Sequence, residues 1–171
     1  KPAEIRALVA LLDDRDGLVR YSARDALIRL GPTAAPTVAD GLSSVRGVDA
    51  VALLEVAGQI NDPRLLPGAL PLVTDDQPRT RQLAARLRGS LGGAEAIEAM
   101  AGCLDDSDPA VRSAAAQGLG QLGYWPVGSR LATGLEDRSW DVRRSSGLAL
   151  RSIGAPGVLL LRRATGSADP F

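Results

Sequence analysis

The strongest constraint on the fold of this chain is a repeat of about 31 residues. An apolar residue closes the first segment of each repeat, and its successive positions are 30, 31, 31 and 31 residues apart: Leu12, Leu42, Val73, Leu104 and Leu135. The segments are rich in helix-favouring residues, and a fixed period of this length is typical of stacked helix pairs. Because one pair cannot bury its own apolar face, each pair is expected to pack against its neighbours.

Turn-forming residues divide each repeat into two helices. In the first repeat, Ile5, Leu8 and Leu12 follow helical spacing, and Gly31-Pro32 ends the second helix. We therefore predict an all-α fold, a right-handed α-solenoid of stacked antiparallel helix pairs, as one domain over residues 1–171. The predicted repeats cover residues 2–30, 33–60, 63–91, 94–122 and 125–153, and a capping half-helix covers 156–164.

Several helix starts are marked by a capping residue. Asp62-Pro63 and Asp108-Pro109 each place an aspartate before a proline, which predicts a side-chain cap at the start of a helix. Ser139 is predicted to cap the helix that begins at Trp140.

Composition excludes several classes of function. The chain has 20 basic and 20 acidic residues, so it lacks the basic excess typical of nucleic-acid binders, and a nucleic-acid partner is not expected. Cys103 is the only cysteine and there is no histidine, which excludes an internal disulfide and a His/Cys metal site. Cys103 is predicted to be a small core residue.

The sequence shows neither a membrane span nor a signal peptide, and a cytoplasmic location is predicted. The chain begins at Lys1 rather than Met, which leaves open that it is a fragment with an upstream targeting segment.

An aspartate followed six residues later by an arginine recurs at the structural period. The pairs are Asp14 and Arg20, Asp75 and Arg81, Asp106 and Arg112, and Asp137 and Arg143. Each Asp lies in the turn of a repeat and each Arg in the first turn of the second helix. Stacking would bring each Asp close to an Arg of its own repeat or the next, which predicts a ladder of charge-assisted hydrogen bonds. Neighbouring aspartates such as Asp105-Asp106 could act as acid/base pairs, but capping and the ladder explain them better.

Residues 104–123, Leu-Asp-Asp-Ser-Asp-Pro-Ala-Val-Arg-Ser-Ala-Ala-Ala-Gln-Gly-Leu-Gly-Gln-Leu-Gly, resemble a HEAT repeat. The resemblance is to the short bacterial type known from phycobilisome lyases, and residues 61–67 resemble that family's link between repeats. It extends over essentially the whole chain. The resemblance implies a HEAT-like or armadillo-type superhelix in which the second helices line a concave face.

The second repeat departs from this pattern. Ser44 and Ala50 replace the Asp and the Arg, and residues 43–48 form an irregular turn. We expect the ladder to be interrupted there, and we expect the stack to bend or open most near residues 43–49.

Three glycines, Gly58, Gly89 and Gly120, recur 31 residues apart in the middle of second helices. Glycine costs about 1 kcal/mol relative to alanine at such a position. This recurrence favours close approach of neighbouring helices. The alternative is a smooth strip against which the backbone of a partner lies.

The exposed positions of the second helices are polar, small and mixed in charge, which suits a protein or peptide partner better than a polyanion. The predicted partner-binding residues are Tyr21, Arg86, Gln117, Arg144, Leu148 and Arg151, together with Tyr124 and Trp125 in the link before the fifth repeat. For any single residue, a solvated surface is the alternative. Binding and gap-filling are equally favoured for Trp125, whereas packing is favoured for Trp140.

We predict a non-catalytic protein-interaction scaffold or adaptor domain with a protein partner and without catalytic residues, cofactor or metal. Self-association through the end repeats is an alternative. The resemblance implies two further alternatives: a bilin lyase-like subunit, which attaches tetrapyrroles to phycobiliproteins, and a DNA-binding or DNA-glycosylase module. The neutral charge disfavours the last.

Overall fold

The computed structural model describes residues 2–47 and 49–166, and these residues form helices joined by short turns, without a strand. The α-helices are α1 (Pro2–Ala10), α2 (Gly17–Leu30), α3 (Ala35–Ser44), α4 (Asp49–Ile60), α5 (Leu66–Ala69), α6 (Pro78–Leu91), α7 (Ala94–Cys103), α8 (Pro109–Leu122), α9 (Gly128–Thr133), α10 (Trp140–Ser152) and α11 (Ala155–Thr165). Short 3-10 helices cover Leu11–Asp13, Gly31–Thr33, Pro63–Leu65, Leu70–Thr74, Trp125–Val127 and Gly134–Glu136.

The chain divides into two compact units: an N-terminal unit, Lys1–Leu87, and a C-terminal unit, Arg88–Phe171. The boundary falls within α6. The single continuous stack over residues 1–171 stays a prediction. No helix in the described ranges combines the length and the apolar character needed to cross a membrane.

In the N-terminal unit, first helices pack on first helices and second helices on second helices. α1 contacts α3 and α3 contacts α5, while α2 packs on α4; within the pairs, α1 contacts α2 and α3 contacts α4. The resulting two layers enclose a core of leucine and alanine, with Leu27, Leu42, Leu54, Leu65 and Leu72 almost fully buried.

The C-terminal unit repeats this arrangement. α7 pairs with α8, α8 packs extensively on α10, and α11 covers α9 and α10. Met100, Leu119, Leu131 and Leu150 are fully buried at its centre. Cys103 is buried, as expected of a small core residue.

Proline breaks the first helix of the third repeat into three short segments. Pro67 and Pro71 lie near the starts of α5 and of the following 3-10 helix. Proline has no backbone N–H and its ring clashes with the preceding turn, so a single continuous helix cannot form here.

Aspartate caps close the helix starts. The side chains of Asp62 and Asp108 accept hydrogen bonds from the backbone N–H groups of Arg64 and Ala110, at 2.9 and 2.8 Å, as predicted. The prediction for Ser139 is wrong, because its side chain makes no capping bond. Asp137 instead accepts the backbone N–H of Ser139, at 2.8 Å.

The three recurring glycines do not share one role. A Cβ atom built on Gly89 would lie 2.6 Å from the Cα of Gly118, and one built on Gly120 would lie 2.6 Å from the Cα of Ala149. Close helix approach is therefore confirmed for these two glycines. It is wrong for Gly58, where a Cβ atom would meet no described atom within 4 Å.

Candidate functional site

The outward face of α10 carries four large side chains. The opposite face is buried through Val142, Ala149 and Leu150. Trp140, Arg144, Leu148 and Arg151 follow helical spacing on the exposed side, and Trp140 and Leu148 are 62% and 40% exposed. We call these four residues the α10 face.

Trp140 and Arg144 form a stacked pair on this face. The central guanidinium carbon of Arg144 lies 5.6 Å from the centroid of the Trp140 ring, within the range of a cation–π interaction. Neither Arg144 nor Arg151 forms an ion pair with any residue that the structure describes. The α10 face therefore offers an exposed aromatic ring, an exposed leucine and two uncompensated positive charges. Asp141, which follows Trp140 in the first turn, is the acidic residue of the same helix.

The α10 face is supported by close packing of α10 on α8. The hydroxyl oxygens of Ser113 and Ser145 lie 2.9 Å apart in a buried hydrogen bond. The amide nitrogen of Gln117 donates to Ser145 at 3.0 Å and to Ser113 at 3.3 Å. Together with the close approach at Gly120, this network fixes the position of α10. Gln117, one of the predicted binding residues, thus supports the helix pair and presents the remainder of its amide to solvent.

An ion pair joins the turn before α10 to α8. Nε and Nη2 of Arg112 each donate to a different carboxylate oxygen of Asp137, at 2.8 Å. The side chains are only 17% and 15% exposed. The hydrogen bonds from Arg112 hold the pKa of the Asp137 carboxyl below its usual range, and they raise the pKa of Arg112.

The four aspartate–arginine pairs share one local geometry. In each, Nη1 of the arginine donates to the backbone carbonyl of the aspartate six residues earlier, at 2.7 to 2.8 Å, and to the next carbonyl at 3.0 Å. The aspartate carboxylate accepts the N–H two residues later. The guanidinium is thereby aimed, and Nε and Nη2 remain for a second partner. The ladder along the whole chain stays a prediction.

The turn of the second repeat is built differently. Val45, and not Ser44, occupies the extended backbone position that follows the first helix and that holds Asp75 and Asp137 elsewhere. Ser44 is the last residue of α3, and its hydroxyl donates to carbonyls of the same helix. Ala50, at the arginine position, is fully buried.

Gly47 supplies the contact that the missing arginine does not. Its N–H donates to the Asp75 carboxylate at 2.9 Å, and its carbonyl accepts the Thr80 hydroxyl at 2.7 Å. Asp75 and Thr80 are both buried. This contact could not be predicted from the sequence, because any residue except proline supplies the same backbone donor. Val48 lies outside the described residues, and the greater mobility of residues 43–49 stays a prediction.

In the N-terminal unit, Glu55 compensates two arginines of the second helices. Glu55 accepts from Arg24 at 3.0 Å and from Arg79 at 3.2 Å, and Arg79 also donates to Gln82 at 2.9 Å. Of the predicted binding residues, Tyr21 in α2 is 69% exposed and Arg86 in α6 is also exposed.

The remaining predicted binding residues lie in the C-terminal unit. Tyr124 is 38% exposed and Trp125 is 66% exposed, so Trp125 does not fill a gap. The packing interpretation of Trp140 is wrong, because most of its side chain is exposed. Its spacing of four residues from Arg144 and eight from Leu148 is the signal that could have placed it on the α10 face.

An arginine, Arg88, lies in the core of the C-terminal unit. Arg88 is 1% exposed, and its Nε and Nη1 atoms have no hydrogen-bond partner among the described residues. Burial lowers the pKa of its guanidinium. Among the described residues, no group of three or more His, Cys, Asp or Glu side chains is placed to hold a metal ion.

Stacked pairs of helices with a repeated turn geometry define the α-solenoid class of proteins. The chain belongs to the HEAT-repeat family, whose model matches residues 40–120, 66–151 and 102–170. A comparison with curated protein sequences gives no match.

Solved structures of the HEAT and armadillo type share the fold. A chain in the complex of CpcE and CpcF of phycocyanin lyase from Nostoc sp. PCC7120 is 25% identical, with a TM-score of 0.74, over 87% of this chain and 99% of that chain. A designed armadillo repeat protein in complex with the peptide (KR)4 is 15% identical, with a TM-score of 0.66, over 98% of this chain and 94% of that one. An engineered protein is 17% identical, with a TM-score of 0.66, over 97% and 90% of the two chains. The last two likenesses concern the fold alone.

Proposed function

We propose that the chain is a non-catalytic protein-interaction module, a scaffold or adaptor domain, whose principal binding surface is the α10 face. The observation that carries this proposal is the stacked pair of Trp140 and Arg144 beside Leu148. Exposure of the large apolar ring of a tryptophan to water is unfavourable. Tryptophan and arginine are also enriched among the residues that dominate binding energy. Their stacking also orders the arginine before a partner arrives, which reduces the entropy lost on binding.

The chemistry of the α10 face favours a partner segment with an apolar side chain between acidic groups. The ring of Trp140 and the side chain of Leu148 would contact the apolar group. Arg144 and Arg151, which lack ion pairs within the described chain, would meet the acidic groups. Tyr124, Trp125 and Gln117 are secondary contacts in this proposal, and Tyr21 and Arg86 would belong to a separate contact on the N-terminal unit.

A pull-down from a lysate of the source organism, read by mass spectrometry, tests the proposal. The test variant combines Arg144→Glu with Arg151→Glu. The matched control combines Arg6→Glu with Arg163→Glu, two exposed arginines of first helices, α1 and α11, that give the same change in charge. A partner lost with the test variant and retained with the control supports the α10 face. A partner retained by both contradicts it, and Trp125→Ala is then the next variant.

A second candidate function is that of a subunit in a phycocyanin lyase-like complex. The likeness to a chain of the CpcE and CpcF complex favours it, because that likeness covers nearly all of the other chain. Mixing the purified chain with a tetrapyrrole and apo-phycocyanin, with and without a co-purified partner subunit, tests this alternative. Covalent colour on phycocyanin that depends on the chain supports a lyase role. A partner that binds the α10 face without any chromophore transfer supports the scaffold.

A further inference from the structure

The repeated turn geometry shows how its arginine binds a carboxylate that lies within reach. In the C-terminal unit, Nη1 of Arg112 donates to the carbonyls of Asp106 and Ser107, at 2.7 and 3.0 Å. Nε and Nη2 then grip the carboxylate of Asp137, both at 2.8 Å. Planar, two-pronged binding of a carboxylate is the contact for which a fixed guanidinium is suited.

Arg20 in the N-terminal unit is held in the same way on its first side. Its Nη1 donates to the carbonyls of Asp14 and Arg15, at 2.7 and 3.0 Å. Arg20 is exposed, and it forms no ion pair with a carboxylate in the part of the chain that the structure describes. Its Nε and Nη2 atoms therefore lack the partner that Arg112 has.

Val45 explains why Arg20 has no carboxylate. It follows α3 in extended backbone, with φ −102° and ψ 158°, at the place where Asp137, with φ −58° and ψ 146°, follows its 3-10 helix. The side chain of valine has no atom that accepts a hydrogen bond. We call Arg20 and Val45 together the open rung.

A cleft of about 480 Å³ begins at Val45 of the open rung. Val9, Leu12, Val45 and Leu53 form its apolar wall, and Arg20 lies outside the lining. The C-terminal unit has a cleft of about 400 Å³. The two clefts correspond, since Leu104 lines this one at the repeat position of Leu12. That cleft is lined by Arg112 and Asp137 themselves. In the N-terminal unit, Val45 lines the cleft at the position that Asp137 holds in the C-terminal cleft.

We propose that the open rung binds one aspartate or glutamate side chain of a partner protein, with a neighbouring apolar side chain of the same segment in the cleft. The carboxylate would take the position on Arg20 that Asp137 takes on Arg112. Asp13 and Asp49 also line the cleft and would repel further acidic groups, so the segment carries a single carboxylate among apolar residues. This site is independent of the α10 face and goes beyond the proposed function.

Nuclear magnetic resonance of the full chain, labelled with nitrogen-15, tests the proposal directly through the Nε–H signal of Arg20. The probe is the capped peptide acetyl-Leu-Glu-Leu-amide, and acetyl-Leu-Gln-Leu-amide is its uncharged match. We expect saturable shifts of the Arg20 signal with the Glu peptide, with a Kd on the order of 1 mM, and at least tenfold weaker binding of the Gln peptide.

Val45→Asp is the decisive variant. It restores the carboxylate within the chain, so it should weaken binding of the Glu peptide at least tenfold while the Arg20 signal moves towards its peptide-bound position. Unchanged binding by this variant overturns the proposal. If the variant does not fold, Arg20→Gln decides instead, followed through the backbone amide signal of Leu53: peptide binding that persists in Arg20→Gln also overturns the proposal.

Two controls separate the proposed site from general charge attraction. Arg86 is an exposed arginine of the same unit, and an equal shift of its Nε–H signal by the Glu peptide contradicts a specific site. Sodium acetate at the same concentration supplies the carboxylate without the apolar flanks. An equal effect of acetate on Arg20 overturns the role of the cleft, whereas an effect at least threefold smaller supports it.

Discussion

The two units hold successive helix pairs together at their turns by different chemistry. In the C-terminal unit, Arg112 and Asp137 form a two-pronged ion pair that is mostly shielded from solvent. In the N-terminal unit, the buried carboxylate of Asp75 accepts the backbone N–H of Gly47 instead. The same packing of helix on helix is present in both. A repeat therefore needs a donor at this carboxylate, and a backbone amide can replace a guanidinium.

The surfaces of the two units differ in the same respect. Glu55 compensates two arginines in the N-terminal unit, whereas Arg144 and Arg151 of the α10 face have no acidic partner in the described chain. Uncompensated charge next to exposed apolar surface is expected where a partner binds. This difference supports our proposals that the α10 face is the principal binding surface and that Arg20 adds a position in the N-terminal unit.

Replacing the buried arginine of the C-terminal unit should produce the largest change in stability. Arg88 occupies the repeat position of Leu119 and Leu150, and two of its nitrogen atoms are buried without a partner. Arg88→Leu should therefore raise the free energy of unfolding by about 1–4 kcal/mol. Urea unfolding followed by tryptophan fluorescence measures this, because both tryptophans, Trp125 and Trp140, lie in the C-terminal unit.

Arg86→Leu is the matched control for this substitution. It removes the same charge from an exposed position two residues away, and its effect should stay within about 0.5 kcal/mol. A clear loss of stability in Arg88→Leu would show that the guanidinium is satisfied by water and contributes to the core.

Breaking the ion pair between Arg112 and Asp137 should have the next largest effect on stability. Arg112→Gln leaves the carboxylate of Asp137 partly buried without its main donor, and the expected cost is about 1–3 kcal/mol. Arg20→Gln removes an arginine with the same carbonyl contacts and no carboxylate partner, so its cost should be below about 1 kcal/mol. Urea unfolding followed by circular dichroism reports on both units and so measures both variants. Equal losses of stability would contradict the distinction between Arg112, which has a carboxylate partner, and Arg20, which has none in the described chain.

Alanine at equivalent glycines should have opposite effects in the two units. At Gly120 a Cβ atom would lie 2.6 Å from Ala149, and overpacking by about 1–3 kcal/mol exceeds or cancels the helix propensity that alanine gains. Gly120→Ala should thus cost up to about 2 kcal/mol. Gly58→Ala meets open space and should stabilise the N-terminal unit by up to about 1 kcal/mol. Thermal unfolding followed by circular dichroism tests the signs, and two losses would show that Gly58 also lies in a close contact.

The fold was accessible from sequence because it depends on a period that many residues express together. The recurring apolar residues and the capping aspartates Asp62 and Asp108 each indicate the same helical repeat. An exception in one repeat therefore does not obscure the period. The helix boundaries were less accessible in the third repeat, where Pro67 and Pro71 break the first helix.

Individual contacts were less predictable, for physical reasons that differ from residue to residue. The bond from Gly47 to Asp75 uses a backbone donor, which no side chain announces. Arg88 is charged and so suggests a surface position, although its register with two leucines indicates the core. The role of Gly58 depends on what faces it, and that is decided by distant residues rather than by the glycine itself.

The smallest predicted effect is the acid dependence of the stability that the ion pair of the C-terminal unit contributes. Hydrogen bonds from Arg112 lower the pKa of Asp137 in the folded chain below its ordinary value of 3.8. Because the unfolded chain binds a proton at a higher pH, the stability that this pair contributes is fully present above about pH 5 and is lost as the pH falls through the folded pKa. The difference in free energy of unfolding between the unmodified chain and Asp137→Asn should therefore be constant from pH 7 to 5 and shrink below about pH 4. Tryptophan fluorescence in urea at each pH measures it, with Asp141→Asn, at an exposed position of the same unit, as the control. A difference that stays constant down to pH 3 would mean that the ion pair contributes nothing through its charge, and that the C-terminal unit, like the N-terminal one, relies on its backbone contacts.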